Sequence, residues 1–298
     1  MNVLVLGGGT GAEKEVSLRS AAAVCDALTD LGHHVRQVDP AEGDATVLKA
    51  AAATDLVFPM LHGTGGEDGV IQRLLDTTGK PYLGSGAAAS ALCFDKARFK
   101  DLLEANDILT PQSEVVTAEA FEESKLVQAP FVLKPVAEGS SVGMMLTREL
   151  PYDQAKAHDL FHEHKTMLLE ELIVGPEITV PVLGSKALPV IEIVPPSGKE
   201  FDYENKYNGA TAELCPPRSV SPERQEQAQR LAERVHALSG ARHLSRIDMM
   251  IDAEEKLYVL ELNTMPGMTA QSLFPKSAAV AGLAWNELVK TFVDLVWA

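Results

Sequence analysis

Residues 246–267 read RIDMMIDAEEKLYVLELNTMPG, and the pattern of this stretch decides the fold. Two apolar-rich runs, 246–252 and 257–263, flank the polar tetrapeptide Ala253-Glu254-Glu255-Lys256, which predicts an antiparallel hairpin with a four-residue loop. If Asp252 and Leu257 close that loop, Asp248 stands opposite Glu261 and Arg246 opposite Asn263. Side chains alternate faces along a strand, so these four polar residues share one face. Ile247, Met249, Ile251, Tyr258, Leu260 and Leu262 then make the other face, which is apolar and is predicted to be the buried side.

An Asp, Glu and Asn set without Cys or His is a hard-oxygen ligand group, suited to Mg²⁺ or Mn²⁺ and poorly suited to zinc. Magnesium held by few protein ligands implies nucleotide phosphates beside it. An ordinary solvated hairpin face would carry the same residue types, and a one-residue slip in register would scatter the set.

The length of 298 residues allows two or three domains with substantial cores. The net charge of -16 argues against nucleic acid or an anionic membrane as partner, because it would repel both. An anionic nucleotide would need a local basic pocket, which makes single lysines near glycine loops informative. Cys25, Cys93 and Cys215 have no metal-type spacing and point to a reducing cytoplasm. The N-terminal run MNVLVLGGGTG does not fit a signal peptide, and no segment has the length of a membrane span, so a cytoplasmic protein is expected.

Upstream, a strand over residues 2–6, a glycine loop, a helix over 15–31 and strands over 34–38 and 56–59 predict a parallel α/β unit. Gly7-x-Gly9-x-x-Ala12, with Asp39 after the second strand, has the form of a dinucleotide fingerprint. Glu13 and Glu15, however, occupy the helix start where a pyrophosphate would sit. Two carboxylates there suit a cationic ligand such as an amino group, or simply stabilise the helix end. Residues 61–69, LHGTGGEDG, place His62 and two acids among four glycines directly after a strand, a candidate site loop.

Next come a helix over 95–105 carrying Lys96, a strand over 131–135 carrying Lys134, and the loop 136–143 with Glu138, Ser140 and Ser141. Such a flap can donate backbone N–H groups to phosphates, and it is not a P-loop because no Gly-Lys-Ser/Thr opens a helix. Glu170 and Glu171 end a strand over 166–172, and Glu177 precedes another over 178–183, acids placed to hold adenine and ribose hydroxyls. Residues 195–222 turn polar and carry Phe201, Tyr203, Lys206 and Tyr207, the composition of a lid. Helices are expected over 222–238 and 285–296. The predicted units are 1–92, 93–183 and 184–298.

In this order, Lys96, Lys134, the loop from Glu138 to Gly143, Glu170, Glu177 and the hairpin ending in Asn263-Thr264-Met265-Pro266-Gly267-Met268-Thr269 resemble the ATP-grasp ligases. With Glu13-Lys14-Glu15-Val16-Ser17, His62-Gly63, Gly65 to Gly69, Gly84-Ser85-Gly86 and Arg246-Ile247-Asp248, the chain is similar to the D-alanine:D-alanine ligase family over nearly its whole length. The resemblance implies a three-domain α/β ATP-grasp fold and ATP-dependent synthesis of D-alanyl-D-alanine through a D-alanyl phosphate, for peptidoglycan. It implies Glu15, Ser140 or Ser141, and Tyr207 as a triad at the first ammonium, with Arg246 stabilising the oxyanion. Lys96, Lys134 and the loop residues Glu138, Ser140 and Ser141 would face the phosphates, and Glu170, Glu171 and Glu177 the base and ribose. Two Mg²⁺ or Mn²⁺ ions would sit on Asp248, Glu261 and Asn263, and His62, Lys206, Gly267, Ser272 and Leu273 would contact substrate. The family also implies a homodimer. Glu171 stands where the family often has lysine, and Phe201 where a tyrosine can occur. An acceptor other than D-alanine, such as D-lactate or D-serine, would use the same phosphate and metal residues. An NAD-dependent oxidoreductase or a non-catalytic nucleotide binder would leave the hairpin set without a role.

Overall fold

A computed structural model describes residues 1–139, 143–196 and 211–298. Ser140, Ser141, Phe201, Tyr203, Lys206 and Tyr207 lie outside the described residues. Three sheets organise the described residues. In the first, β1 (Asn2–Leu6) runs parallel to β2 (His34–Val38) on one side and β3 (Leu56–Pro59) on the other. Its centre is apolar on both faces because both are covered. Val3 and Val5 pack on helix Lys14–Asp30 and on helix Trp285–Val296, whereas Leu4 and Leu6 face Val47, Ala50 and Leu75.

The second sheet is antiparallel, in the order β4 (Ser113–Val116), β7 (Met167–Glu171), β5 (Phe131–Pro135), β6 (Met145–Thr147). Phe121, Phe131 and Tyr152 meet edge to face behind it, with centroids 5.3 to 5.6 Å apart. The third sheet runs β11 (Ala212–Leu214), β10 (Ile191–Val194), β8 (Glu177–Leu183), β12 (Leu244–Ile251), β13 (Leu257–Asn263), with the short β9 (Lys186–Ala187) beside β8. Helix Pro222–Leu238 and helix Lys96–Glu104 bury Ala228, Ala232, Val235, Phe99 and Leu103 against it.

Two features of this arrangement differ from the sequence-based expectation. β8, expected in the central unit 93–183, pairs with β10 and β12, so it belongs to the third sheet. Ile178, Val180 and Val182 are as apolar as any central strand, and nothing local to them selects the sheet they enter. Within the hairpin, the pairing is closed by Ile251 and Leu257 instead of Asp252 and Leu257, and a bulge after Asp248 restores the expected pairs Asp248–Glu261 and Arg246–Asn263. The extra residue also swaps faces beyond it. Val259 is fully buried, while Tyr258 and Leu260, expected inside, are only half-buried.

Helix Trp285–Val296 returns to the first sheet, where Phe292 stands 5.9 Å from Phe274 and is fully buried. Phe292 also shares a buried cluster with Val3, Val5, Ala21 and Val24, which ties the C-terminal helix to the N-terminal core. Phe292→Ala is expected to cost about 3 to 5 kcal/mol in urea unfolding, and a loss below about 1 kcal/mol would mean that this end of the chain does not support the core.

Candidate active site

The hairpin face is the floor of the site. Asp248 receives Thr179 Oγ1 at 2.5 Å from the neighbouring strand, and a two-pronged contact from Arg246, Nε at 2.9 Å and an η nitrogen at 2.8 Å. Asn263 donates its amide nitrogen to the same carboxylate at 3.0 Å, which leaves its amide oxygen for a ligand. Glu261, opposite Asp248, lies 3.9 Å from the Lys96 ammonium. Burial opposes the charge on Arg246, but Asp248, Glu261 and Glu67 outweigh it and hold the guanidinium ionised. Among the described residues no group of three or more His, Cys, Asp or Glu side chains gathers for a metal. The hairpin set of two carboxylates and an amide oxygen suits a cation that takes its remaining ligands from phosphates and water.

Two cavities meet at this floor, and Lys96, Glu138 and Glu261 line both. The larger, about 750 Å³, lies between the N-terminal loops and the segment after β13, with Glu13, His62, Glu67, Arg246, Gly267, Ser272 and Leu273 in its wall. Glu13, at the helix start, takes the place expected for Glu15, which is exposed and does not line the cavity. Two residues along a helix turn a side chain by about 200°, so both carboxylates cannot face inward. Glu13 packs so closely on Gly63 and Gly139 that a Cβ on either would collide with its carboxylate, which brings the flap onto the N-terminal unit.

His62, expected to touch substrate, uses both ring nitrogens within the protein. Nδ1 is 2.9 Å from the carbonyl oxygen of Met265, so it carries the proton, and Nε2 accepts from Ser20 Oγ at 2.9 Å. Ser20 Oγ in turn accepts from the Met268 amide at 3.1 Å. Burial pulls His62 below the ordinary histidine range, consistent with a neutral ring acting as a strut. Glu67 completes the clamp by accepting from the amides of Gly63 and Met265, each at 3.0 Å. Burial, reinforced by Glu13, pushes its carboxyl up to about 7. Beyond the clamp, Ser272 precedes helix Leu273–Val280, and its Oγ accepts from the Thr269 amide at 3.0 Å. The N–H groups of a helix's first turn have no partner within the helix and are suited to an anion such as a carboxylate.

The smaller cavity, about 420 Å³, lies between the second and third sheets. Val132, Met144, Leu146, Leu172, Met250 and Leu260 form an apolar slot, the bulge having turned Leu260 toward it. Lys134 and Glu170 are diagonal neighbours on β5 and β7, and their charged atoms lie 2.6 Å apart. The other Glu170 oxygen is 2.9 Å from Lys100, a residue that sequence reasoning missed although it sits one turn beyond Lys96 on the same helix face. Burial pushes the Glu170 carboxyl up, but the two lysines outweigh it and hold the group below the usual carboxylate range. Glu171 accepts from the Gln112 amide at 2.9 Å, and Glu177 lines the far wall. Lys96 donates to the Glu138 carbonyl at 2.6 Å and so anchors the start of the flap.

The N-terminal glycine loop is closed to a dinucleotide. Asp39 accepts from the Gly9 amide at 2.7 Å and packs against Gly8, while Gly8 N–H donates to Ser17 Oγ at 2.9 Å. The protein's own side chains thus occupy the donors that a pyrophosphate would need.

An apolar slot between two sheets, lysines at its inner end and an acidic hairpin beside a second cavity define an ATP-grasp ligase architecture. Residues 36–85 match the D-ala D-ala ligase N-terminus family and residues 96–294 the D-ala D-ala ligase C-terminus family. D-alanine--D-alanine ligases of Actinobacillus succinogenes and Haemophilus influenzae are 42% and 40% identical, covering 98% and 97% of this chain and 97% and 98% of theirs. The crystal structure of a D-alanine--D-alanine ligase of Bacillus anthracis complexed with ATP superposes with a TM-score of 0.86 at 26% identity, over 100% of this chain and 97% of that one. A D-Ala:D-Ser ligase of Enterococcus faecalis gives 0.83 at 27%, over 99% of each. The chain belongs to the D-alanine--D-alanine ligase family.

The raised carboxyl of Glu67 has a measurable sign. In the fold it keeps its proton up to about pH 7, whereas a free glutamate releases it near 4.5, so stability from this group declines as pH climbs through that interval. The unfolding free energy of wild type minus that of Glu67→Gln is therefore expected to fall by about 2 to 3 kcal/mol between pH 4.5 and 7.5. Urea denaturation across that range checks it, and a difference that grows with pH would contradict the assignment.

Proposed function

We propose that the protein joins two D-alanines into D-alanyl-D-alanine at the cost of ATP, making the dipeptide used in peptidoglycan. The observation that carries this reading is the junction of the two cavities at Lys96, Glu138 and Glu261, with Arg246 beside it. The smaller cavity would take ATP, its base in the apolar slot, Glu171 and Glu177 near adenine and ribose, and Lys96, Lys134 and the flap near the phosphates; Glu170, expected beside the base, is instead ion-paired with Lys134 and Lys100. The larger would take both amino acids.

The first D-alanine would place its ammonium against Glu13 and its carboxylate at the junction, where a carboxylate oxygen attacks the γ-phosphorus and ADP leaves. The amine of the second D-alanine then attacks the acyl carbon, the acyl C–O bond to phosphate breaks, and inorganic phosphate departs with the proton that the nitrogen gives up as the amide forms. Arg246 faces the oxygen that gains charge in this step, and its charge is already fixed by Asp248. The helix N-terminus at Ser272 and Leu273, with Gly267 nearby, would hold the second carboxylate. Asp248, Glu261 and Asn263 would hold Mg²⁺ or Mn²⁺, two ions in this reading, which when bound neutralise charge on the transferring phosphoryl group. His62 would act by fixing the Met265 loop. Ser140, Ser141, Lys206 and Tyr207 keep the roles at the flap and lid that the family resemblance implies. A homodimer in the cytoplasm and three structural units, with β8 counted in the third, belong to the same reading.

Phosphate release from ATP and Mg²⁺ is expected with D-alanine and not with L-alanine, with a product of dipeptide mass. Release only on adding D-serine or D-lactate would move the acceptor and keep the site. Arg246→Ala is expected to lower turnover by about 10²-fold or more, and near-normal turnover would sink its role.

A further inference from the structure

We propose that Lys100 is a positioning residue for the nucleotide: its buried ammonium neutralises Glu170, so that Lys134, held on the same carboxylate, presents an uncancelled positive charge to the phosphates. The proposal rests on the reading of the smaller cavity as the ATP site.

Lys100 cannot act by contact. Its ammonium donates to Thr110 Oγ1 at 2.7 Å and to the Pro111 carbonyl at 2.8 Å, and lies 2.9 Å from Glu170. The side chain is 2% exposed and lines neither cavity. Glu170 is nearly as deep, with a 3% exposed side chain, and Lys134 is 13% exposed; both line the smaller cavity. The charge count then decides the effect. Lys134 and Glu170 alone sum to zero, and a polyphosphate approaching them would meet a dipole. With Lys100 the three sum to +1, and the extra charge is held in a poorly hydrated interior where it is weakly screened. Geometry acts in the same direction. A buried carboxylate with one oxygen unpaired would draw Lys134 onto both oxygens and away from the cavity, because leaving that oxygen bare is costly. Lys100 occupies that oxygen. Lys96 and Lys100 lie four residues apart on one helix, so a single element supplies one ammonium to the flap and another to the carboxylate that tethers Lys134.

The test uses Lys100→Gln, which can still donate to Pro111 but carries no charge. Its KM for ATP is expected to rise about tenfold, from the loss of one weakly screened charge near the phosphates, while KM for D-alanine stays within about twofold. In the double variant Lys100→Gln/Glu170→Gln the uncompensated carboxylate is gone, and KM for ATP is expected to return to within about threefold of wild type. A purely structural role for the triad would instead make the double variant as poor as the single one or worse, and that outcome overturns the proposal. An unchanged KM for ATP in Lys100→Gln overturns it equally. Should Lys100→Gln fail to fold, Glu170→Gln alone decides: with both lysines then unopposed, a rise in the KM for ATP of tenfold or more would count against the charge argument. Lys134→Ala separates the two levels. Wild-type affinity for ATP in that variant would remove the nucleotide reading itself, whereas sensitivity at Lys134 with none at Lys100 would remove only the present proposal.

Discussion

The site depends on the pairing of β12 with β13 and on one residue inserted into it. Asp248 opposite Glu261, with Arg246 and Asn263 beside them, is a cross-strand arrangement that only one register produces. The bulge after Asp248 does two things at once. It brings the acids into line although the loop is closed one residue earlier than its composition suggests, and it turns Leu260 toward the apolar slot while Val259 enters the core. A strand without the extra residue would place either the acids or the slot wall on the wrong face.

Around that floor the protein meets an electrostatic difficulty of its own making. A chain with net charge -16 has to receive a polyanion, and it does so by burying its few useful cations beside partners that fix them. Arg246 is held ionised by Asp248, Lys96 points at a carbonyl and a carboxylate, and Lys134 and Lys100 share Glu170. Each is positioned before any ligand arrives, which spares the ordering entropy that a mobile lysine would lose on binding. The raised carboxyl of Glu67 comes first from its burial and then from the nearby Glu13.

The clamp made by Ser20, His62 and Glu67 connects residues separated by about 200 to 250 positions in sequence: Met265 and Met268 on one side, the N-terminal helix and loop on the other. Through it the segment after β13, which leads to Ser272 and the helix N-terminus, is set relative to Glu13 and Arg246. The glycines around His62 allow this close approach, and their density in one loop was visible in the sequence even though the partner of the histidine was not.

Much was legible in the sequence itself. The strands at 2–6, 34–38, 56–59 and 131–135 and the helices at 222–238 and 285–296 stand as read, because each is set by local periodicity and local end signals. The oxygen-rich chemistry of the hairpin, the lysines Lys96 and Lys134 and the order of motifs were legible too, since residue type and spacing carry them. Local pattern left three matters undecided: which sheet β8 joins, which of Glu13 and Glu15 faces inward, and that His62, Ser20, Glu67 and Lys100 act on other side chains and backbone groups of the protein. Strand pairing, helix rotation and contacts between distant segments come from the packing of whole units against one another. No local window of residues contains the partner, so only the tertiary structure could decide them.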